Sequence, residues 1–273
     1  MFPLEVRAGV GNFRRMNTWN SSQYLKFANE RTQPSIDLAA RLALEEPSTI
    51  IDLGCGPGNS TASAARRWPN ATVTGLDNSA AMLATAARTH PQWTWCESDI
   101  ATWAETNTQK FDLIFSNAAL HWVPDHATSL PRIFDAVAPG GALAFQMPHS
   151  LASAHQYCMR ELPKSAKWRD RFLTQPDAWQ VESVGFYYDL FAGRASRVDL
   201  WLTEYIYVFN GVEGIVEWHK GAALLPFLKA LPDESARAEF IADYLAAITP
   251  HYPQLANGKV LLPFRRLFVI AYR

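Results

Sequence analysis

The sequence predicts an α/β fold built around a parallel sheet. Short apolar runs alternate with helix-like stretches from residue 48 to residue 147, the pattern of parallel strands joined by right-handed crossover helices. A glycine-rich turn follows the first apolar run, as in sheets that bind a ligand at the carboxyl ends of their strands. A chain of 273 residues suits one large domain, or one core with a modest insertion.

The first half of the chain contains five predicted strands and the helices between them. The strands are residues 49–53, 71–76, 93–96, 111–116 and 142–147, of which the third has the weakest pattern. The predicted helices cover residues 59–68, 79–88 and 125–136, and Ser79 is a suitable N-cap for the second. Beyond Pro148 the alternation stops.

Two further strands are predicted in the last third of the chain. Residues 198–209 alternate with a period of two, which places Tyr205 and Tyr207 on one face of a strand. A helix is predicted from Asp233, a plausible N-cap, and residues 266–272 form the last strand.

Composition excludes several classes of function. The formal net charge is -1, so the chain has no overall basic field for nucleic acid or an anionic membrane, and no apolar run is long enough to span a bilayer. Three cysteines without CxxC spacing argue against a disulfide framework or a zinc site and favour a reducing compartment, which predicts a cytoplasmic protein without a metal. Residues 1–15 lack an apolar signal region and are expected to be a poorly ordered extension.

The strongest motif is the run Asp52-Leu53-Gly54-Cys55-Gly56-Pro57-Gly58. Glycines let the backbone turn sharply and let a ligand lie against it, and the following helix N-terminus favours a carboxylate or phosphate. The spacing is GxGxG, and Asn59 stands where the dinucleotide fingerprint requires its third glycine. An NAD-dependent oxidoreductase is therefore disfavoured.

Acidic residues follow the next two predicted strands. Asp77 is placed to accept both hydroxyls of a ribose, and Asp99 could accept from an adenine amino group while Ile100 packs on the ring. The alternative is that the glycines only permit a tight turn and that Asp77 and Asp99 only cap helices. The glycine loop and the acids, in this order along the chain, together favour a ligand site.

These motifs identify a resemblance. IDLGCGPGNST, GLDNS, ESDI and FDLIFSNAALHWVPD resemble the class I S-adenosylmethionine-dependent methyltransferases. WNSSQYLKFANERTQP, SNAALHWVPDH, EWHKG and LPFRRLF are similar to the trans-aconitate 2-methyltransferase family, over residues 16–273. The resemblance implies a Rossmann-like seven-stranded sheet whose last strand is antiparallel, with a helical lid. It further implies a cofactor-binding core at 16–147, a cap insertion at 148–197, and completion of the sheet at 198–273 with a second lid excursion at about 211–258.

The resemblance also implies the cofactor and its residues. S-adenosylmethionine would bind and leave as S-adenosylhomocysteine, with Asp52 supporting the ammonium and Asn117 facing the methionine part and the transferred methyl. Tyr24 and Arg31 would close over the cofactor. The expected cofactor-binding set is Tyr24, Arg31, Asp52, Gly54, Gly56, Gly58, Asn59, Asp77, Asn78, Asp99, Ile100 and Asn117.

The family's acceptor is a small tricarboxylate, which becomes a monomethyl ester. A carboxylate is ionised near pH 7 and needs no general base, so the expected site contains cations and hydrogen-bond donors. The candidates are His121, Trp122, His149, Tyr205, Tyr207, Lys220 and Arg265, and only one of the pair Arg265 and Arg266 is expected inside.

Two alternatives remain open at this point. One is methyl transfer to another small acid or a quinone-like ring, with His121 as general base. The other is a non-catalytic nucleotide-binding protein. The oligomeric state cannot be inferred from the sequence.

Overall fold

The computed structural model describes residues 28–150, 152–172 and 180–273. Its seven strands form one sheet in the order β3-β2-β1-β4-β5-β7-β6. The strands are β1 Thr49–Leu53, β2 Thr72–Asp77, β3 Thr94–Glu97, β4 Phe111–Asn117, β5 Val137–Pro148, β6 Arg197–Phe209 and β7 Val260–Tyr272. Neighbours among the first five strands are parallel, whereas β7 runs antiparallel to both β5 and β6. The predicted seven-stranded α/β sheet with an antiparallel last strand is confirmed.

Ten α-helices accompany the sheet within the described residues. They are α1 Ala28–Arg41, α2 Asn59–Arg67, α3 Ala80–Thr89, α4 Ile100–Thr106, α5 His126–Asp135, α6 Ala154–Glu161, α7 Val184–Ala192, α8 Val212–Lys220, α9 Leu225–Ala230 and α10 Glu234–Ile248. Ser79 caps α3 by accepting from the backbone N–H of Met82, and Asp233 caps α10 by accepting from Ala236. Both caps were predicted from the sequence.

Two strands are longer than the sequence predicted. β5 begins at Val137 rather than 142, and β7 begins at Val260 rather than 266. In β7 the early part alternates between buried and exposed residues up to Arg265, and Pro263 lies within it. The proline and the alternation of apolar with exposed residues there hid the strand from a search for apolar runs.

The sheet is buried on both faces, and β1 accordingly is buried at every residue except Thr49, which is partly buried. One face, here called the α1 face, packs Ile50, Phe115 and Phe268 against Leu38 of α1 and Leu42, the residue that follows this helix. The opposite face packs against α4, α5 and α7. A third apolar cluster joins α6, α8, α9 and α10 to the far ends of β6 and β7.

The predicted domain boundaries stay predictions. Residues 1–15 lie outside the described part of the chain. Within 148–197, α6 belongs to the third cluster, whereas Tyr187 and Phe191 of α7 pack with the sheet itself. No helix in the described ranges is long and apolar enough to cross a membrane.

A candidate cofactor and acceptor site

The site is the crevice at the carboxyl ends of the central strands. The strand order reverses at β1, because β2 pairs with one edge of β1 and β4 pairs with the other. Such a switch point in a parallel sheet leaves a gap between the loops that follow the strands, and ligands bind there.

The glycine loop forms one wall of this crevice. Gly54, Gly56 and Gly58 have φ values of 73°, 55° and 94°, in the left-handed region that favours glycine. A Cβ at Gly54 would lie 2.2 Å from the Cβ of Ala119, so that position cannot accept a larger residue. A Cβ at Gly56 would meet no atom within 4 Å, so the loop faces open space at that point. The loop leads into α2, with Gly58 as its N-cap residue and Asn59 as its first residue.

Asp52 lies behind the glycine loop on the α1 face and is fully buried. Its Oδ2 accepts hydrogen bonds from the hydroxyls of Ser60, at 2.6 Å, and Thr61, at 2.7 Å. Its Oδ1 has no hydrogen-bond partner among the described residues. Burial raises the pKa of the Asp52 carboxyl to about 6, although both hydroxyls favour its ionised form.

Asp77 ends β2 and braces the glycine loop. One carboxylate oxygen accepts from the backbone N–H of Gly56 and the other from that of Ser79, each at 2.9 Å. Burial raises the pKa of Asp77, and these hydrogen bonds oppose the rise. Each carboxylate oxygen can accept more than one hydrogen bond, so Asp77 retains capacity for a pair of ligand hydroxyls.

Asp99 and Ile100 lie at the start of α4. Asp99 is exposed and caps the helix by accepting from the backbone N–H groups of Ala101 and Thr102. The capping role that the sequence left as an alternative is therefore present. Ile100 Cδ1 lies 3.5 Å from the position of a Cβ on Gly54, so this side chain borders the glycine loop. Asn78 is exposed between Asp77 and the cap of α3.

A chain of buried polar side chains crosses the strand ends from β4 to β7. Asn117 Oδ1 accepts a hydrogen bond from Gln146 Nε2, and Gln146 Oε1 accepts one from Arg266 Nη1 at 3.2 Å. Asn117 is 8% exposed, Gln146 is 0% exposed and Arg266 is 3% exposed. All three point to the α1 face, as Asp52 does. Each lies two residues along its own strand from a member of that cluster, namely Phe115, Ala144 or Phe268, and side chains two residues apart in a strand share a face.

The backbone immediately after Asn117 is in an unusual conformation. Ala118 has a φ of 54°, and its N–H donates to the carbonyl of Gln146 at 2.9 Å. An alanine in the left-handed region has a steric cost of roughly 1–2 kcal/mol. The strained residue lies at the edge of the crevice, directly after Asn117.

Arg31 in α1 covers Asn117 from above the sheet. Its backbone carbonyl accepts a hydrogen bond from Asn117 Nδ2 at 3.5 Å. Its guanidinium donates to the carbonyl of Trp218 at 3.0 Å and lies 4.7 Å from the centre of the Trp218 ring. The structure thus joins α1 to α8 over the strand ends. Tyr24 lies outside the described residues.

His121 is buried beside this crevice and stays neutral. Burial lowers the pKa of His121 to about 3, and the positive charge of Arg266 contributes to the same shift. Its ring centre lies 5.0 Å from that of Trp122. A histidine with so low a pKa is a weak proton acceptor near pH 7, so the geometry does not favour general-base catalysis.

Tyr205 and Tyr207 lie on the α1 face of β6 with parallel rings, 6.2 Å between ring centres. Tyr207 is buried in the third cluster, whereas the Tyr205 hydroxyl donates to Asp37 Oδ2 at 2.5 Å. Burial and Asp37 both raise the pKa of Tyr205. Lys220 ends α8 and pairs with Glu217 at 2.7 Å, with a third of its side chain exposed.

Arg265 does not reach the crevice. Successive residues of a strand point to opposite faces, so Arg265 faces away from the α1 face, where it is 3.7 Å from Glu204 and half exposed. Together with His149 it lines a separate cavity of about 510 Å³. The sequence predicted that one arginine of the pair lies inside; the structure places Arg266 there rather than Arg265.

Sequence reasoning missed Gln146 and Trp218 as site residues, and it chose Arg265 where the structure has Arg266. Gln146 is a polar residue within an apolar strand, and that anomaly was a usable signal. The side chains of the described residues contain no group of three or more histidine, cysteine, aspartate or glutamate residues that could hold a metal.

Comparison with known proteins identifies the family of this chain. Residues 50–141 match the family model described as a methyltransferase domain. This range contains the glycine loop, strands β2 to β4 and all of β1 except Thr49. The chain is 43% identical over 258 residues to a trans-aconitate 2-methyltransferase of Azoarcus sp. (strain BH72), covering 94% of this chain and 100% of that protein. It is 44% identical over 264 residues to one of Variovorax paradoxus (strain S110), covering 94% and 99%.

Solved structures share the fold at low identity. The YcgJ protein of Bacillus subtilis superimposes with a TM-score of 0.58 at 13% identity, over 88% of this chain and 98% of that one. A phosphoethanolamine N-methyltransferase of Haemonchus contortus, solved with S-adenosylhomocysteine, gives a TM-score of 0.55 at 16% identity, over 92% of this chain and 57% of that one. The structural likeness shows the fold, and the near full-length sequence identity shows that this chain belongs to the trans-aconitate 2-methyltransferase family.

Proposed function

We propose that this protein transfers a methyl group from S-adenosylmethionine to a carboxylate of trans-aconitate, giving a monomethyl ester and S-adenosylhomocysteine. The observation that carries the proposal is the chemistry at the acceptor end of the crevice. A buried guanidinium, Arg266, lies near a histidine whose pKa is lowered to about 3. That arrangement suits an acceptor that is already anionic and needs no base.

The cofactor would lie along the glycine loop. Asp52 Oδ1, buried without a partner in the described residues, would accept from the ammonium of its methionine part. Asp77 would accept from the ribose hydroxyls, and Ile100 would pack on the adenine. The residues Gly54, Gly56, Gly58, Asn59, Asn78 and Asp99 would line the remaining path. The open space at Gly56 and the unpartnered Asp52 oxygen both fit this ligand.

When bound, S-adenosylmethionine supplies an electrophilic methyl group on a sulfonium. The residues of this chain then have to hold a carboxylate oxygen in line with it, with the reacting atoms roughly 3–3.5 Å apart. Asn117 is fixed by Gln146 on one side and by the Arg31 carbonyl on the other, so it can orient groups at this point. Tyr24, Arg31 and Trp122 would exclude water from above.

The cysteines and the net charge bear on the cellular location of the protein and on the kind of acceptor it uses. All three cysteines, Cys55, Cys96 and Cys158, are free thiols, which supports a cytoplasmic, reducing location. The near-neutral net charge of -1 supports a small-molecule acceptor rather than nucleic acid.

A methyl-transfer assay across tri-, di- and monocarboxylic acids tests the proposed function. The expected product is a base-labile monomethyl ester, formed fastest from trans-aconitate. Faster transfer to a phenolic or quinone-like acceptor, with a rate that requires unprotonated His121, would overturn it in favour of a base-dependent methyltransferase.

A further inference from the structure

Arg266 is a buried cation with an unused hydrogen-bonding edge. Within the described residues, its guanidinium makes one hydrogen bond, from Nη1 to Gln146 Oε1 at 3.2 Å. Its Nε is buried and has no hydrogen-bond partner among the described residues. Nε and Nη2 form a planar pair of N–H donors whose spacing matches the two oxygens of a carboxylate.

No carboxylate of the described ranges forms an ion pair with this guanidinium. The carboxylate of Asp37 in α1 accepts hydrogen bonds from Tyr205 and Gln33. The other contacts of Arg266 are with aromatic faces, 4.9 Å from the ring centre of Phe264 and 6.0 Å from that of Tyr205. A buried charge without a counter-ion is costly, so its retention at a strand end needs a reason.

The location of Arg266 supplies that reason. In the sheet it lies opposite Pro148, the last residue of β5, and therefore at the same edge as the glycine loop. Through Gln146 it is connected to Asn117, which faces the crevice. Its charge also acts on His121, whose pKa it helps to lower.

We propose that Arg266 is the residue that binds the acceptor, by pairing its Nε–Nη2 edge with a carboxylate that is not methylated. This inference rests on the proposed function and deepens it by naming the cation that selects a polycarboxylate. A carboxylate held in a bidentate guanidinium pair is a poorer nucleophile, because both of its oxygens share their electrons with N–H donors. Arg266 therefore holds one carboxylate of the acceptor while another attacks the methyl group.

Arg265 provides a matched control for the test. It is the same residue type, one position earlier in β7, but it is half exposed, faces the opposite side of the sheet and lies beside Glu204. Arg266→Gln and Arg265→Gln remove the same charge from the same strand, so they change the net charge of the protein equally. Only Arg266→Gln removes the buried donor edge.

The measurement is calorimetric binding of trans-aconitate to the S-adenosylhomocysteine complex, alongside kcat and KM for methyl transfer. Arg266→Gln is expected to weaken trans-aconitate binding about 30-fold or more, as for loss of a buried charge partner. For a monocarboxylate acceptor, the same substitution should raise KM by less than about threefold, since that acceptor has no second carboxylate to pair with Arg266. Arg265→Gln should leave both values unchanged.

Cofactor binding and thermal melting show whether each variant is folded. If Arg266→Gln does not fold, Arg266→Lys keeps the charge and loses the paired donors, and about a tenfold loss of trans-aconitate affinity is expected. A folded variant of either kind that binds trans-aconitate like the wild type overturns the assignment, while wild-type turnover of trans-aconitate leaves the proposed function standing. If the wild type neither binds nor methylates trans-aconitate, the proposed function fails, and the assignment of Arg266 fails with it.

Discussion

The Asp52 carboxyl provides a sharp test of the cofactor end of the crevice. Its pKa is raised from 3.8 to about 6 because burial disfavours the charged form, and the negative charge of Asp77 adds to the rise. Its Oδ1 has no hydrogen-bond partner in the described residues. A raised carboxyl pKa means that the folded state binds the proton more tightly than the unfolded state. Its contribution to stability is therefore complete below about pH 3.8 and is lost as the pH rises through about 6.

The magnitude follows from the pKa difference. One pH unit corresponds to about 1.4 kcal/mol, so ionising Asp52 in the ligand-free protein costs about 3 kcal/mol in total. Roughly 1.3 kcal/mol of this is lost between pH 5 and pH 7. Asp52→Asn removes the titration and keeps an oxygen for Ser60 and Thr61, so the free energy of unfolding of the wild type should fall relative to the variant over that interval.

Urea unfolding at several pH values measures this difference directly. All other titrating groups are common to both proteins, so they largely cancel when the two profiles are subtracted. Parallel profiles from pH 5 to pH 7 would show that Asp52 is not held as a costly buried anion, and the reasoning about its unpaired oxygen would be refuted. At pH 7.5 the variant should also bind S-adenosylhomocysteine about tenfold to a hundredfold more weakly, because a charge-assisted hydrogen bond of roughly 1.5–3 kcal/mol is lost.

Three further outcomes are expected. Asp77→Ala removes the acceptor for the N–H groups of Gly56 and Ser79 as well as for the ribose. It should weaken S-adenosylhomocysteine binding by one to two decades in a calorimetric titration. Unchanged affinity would show that Asp77 is not part of the site. A chain that starts at Met16 should keep full methyl-transfer activity. One that starts at Gln33 should lose it, because it lacks Arg31 and the contact of Arg31 with Trp218. Full activity in the shorter chain would show that residues 16–32 play no part in the reaction. Since the pKa of His121 is lowered to about 3, kcat/KM should show no inflection from His121 between pH 6 and 8; an inflection there that disappears in His121→Gln would restore its role as a base.

Much of this arrangement could be predicted from the sequence because it depends on local pattern. The strand before the glycine loop, the GxGxG spacing and the caps Ser79 and Asp233 are each encoded within a few neighbouring residues. The positions of Asp77 and Ile100 beside the loop follow from the parallel order of the strands, which the alternation of strands and helices predicts.

The acceptor end could not be predicted in the same way, because it depends on register between distant strands. Arg265 and Arg266 are indistinguishable as a pair, and only the phase of β7 separates them. The alternation of Val260, Leu262 and Phe264, once recognised as the start of the strand, would have placed Arg266 inside. The link from Gln146 to Asn117 joins residues 29 apart in the chain and has no local signature.

A crystal structure with S-adenosylhomocysteine and trans-aconitate is the measurement that tests the central claim most directly. We predict the ribose on Asp77, one acceptor carboxylate on Nε and Nη2 of Arg266, and a second carboxylate directed at the sulfur from the side of Asn117. Trans-aconitate in the separate cavity beside His149 and Arg265, with Arg266 still without a carboxylate partner, would contradict it.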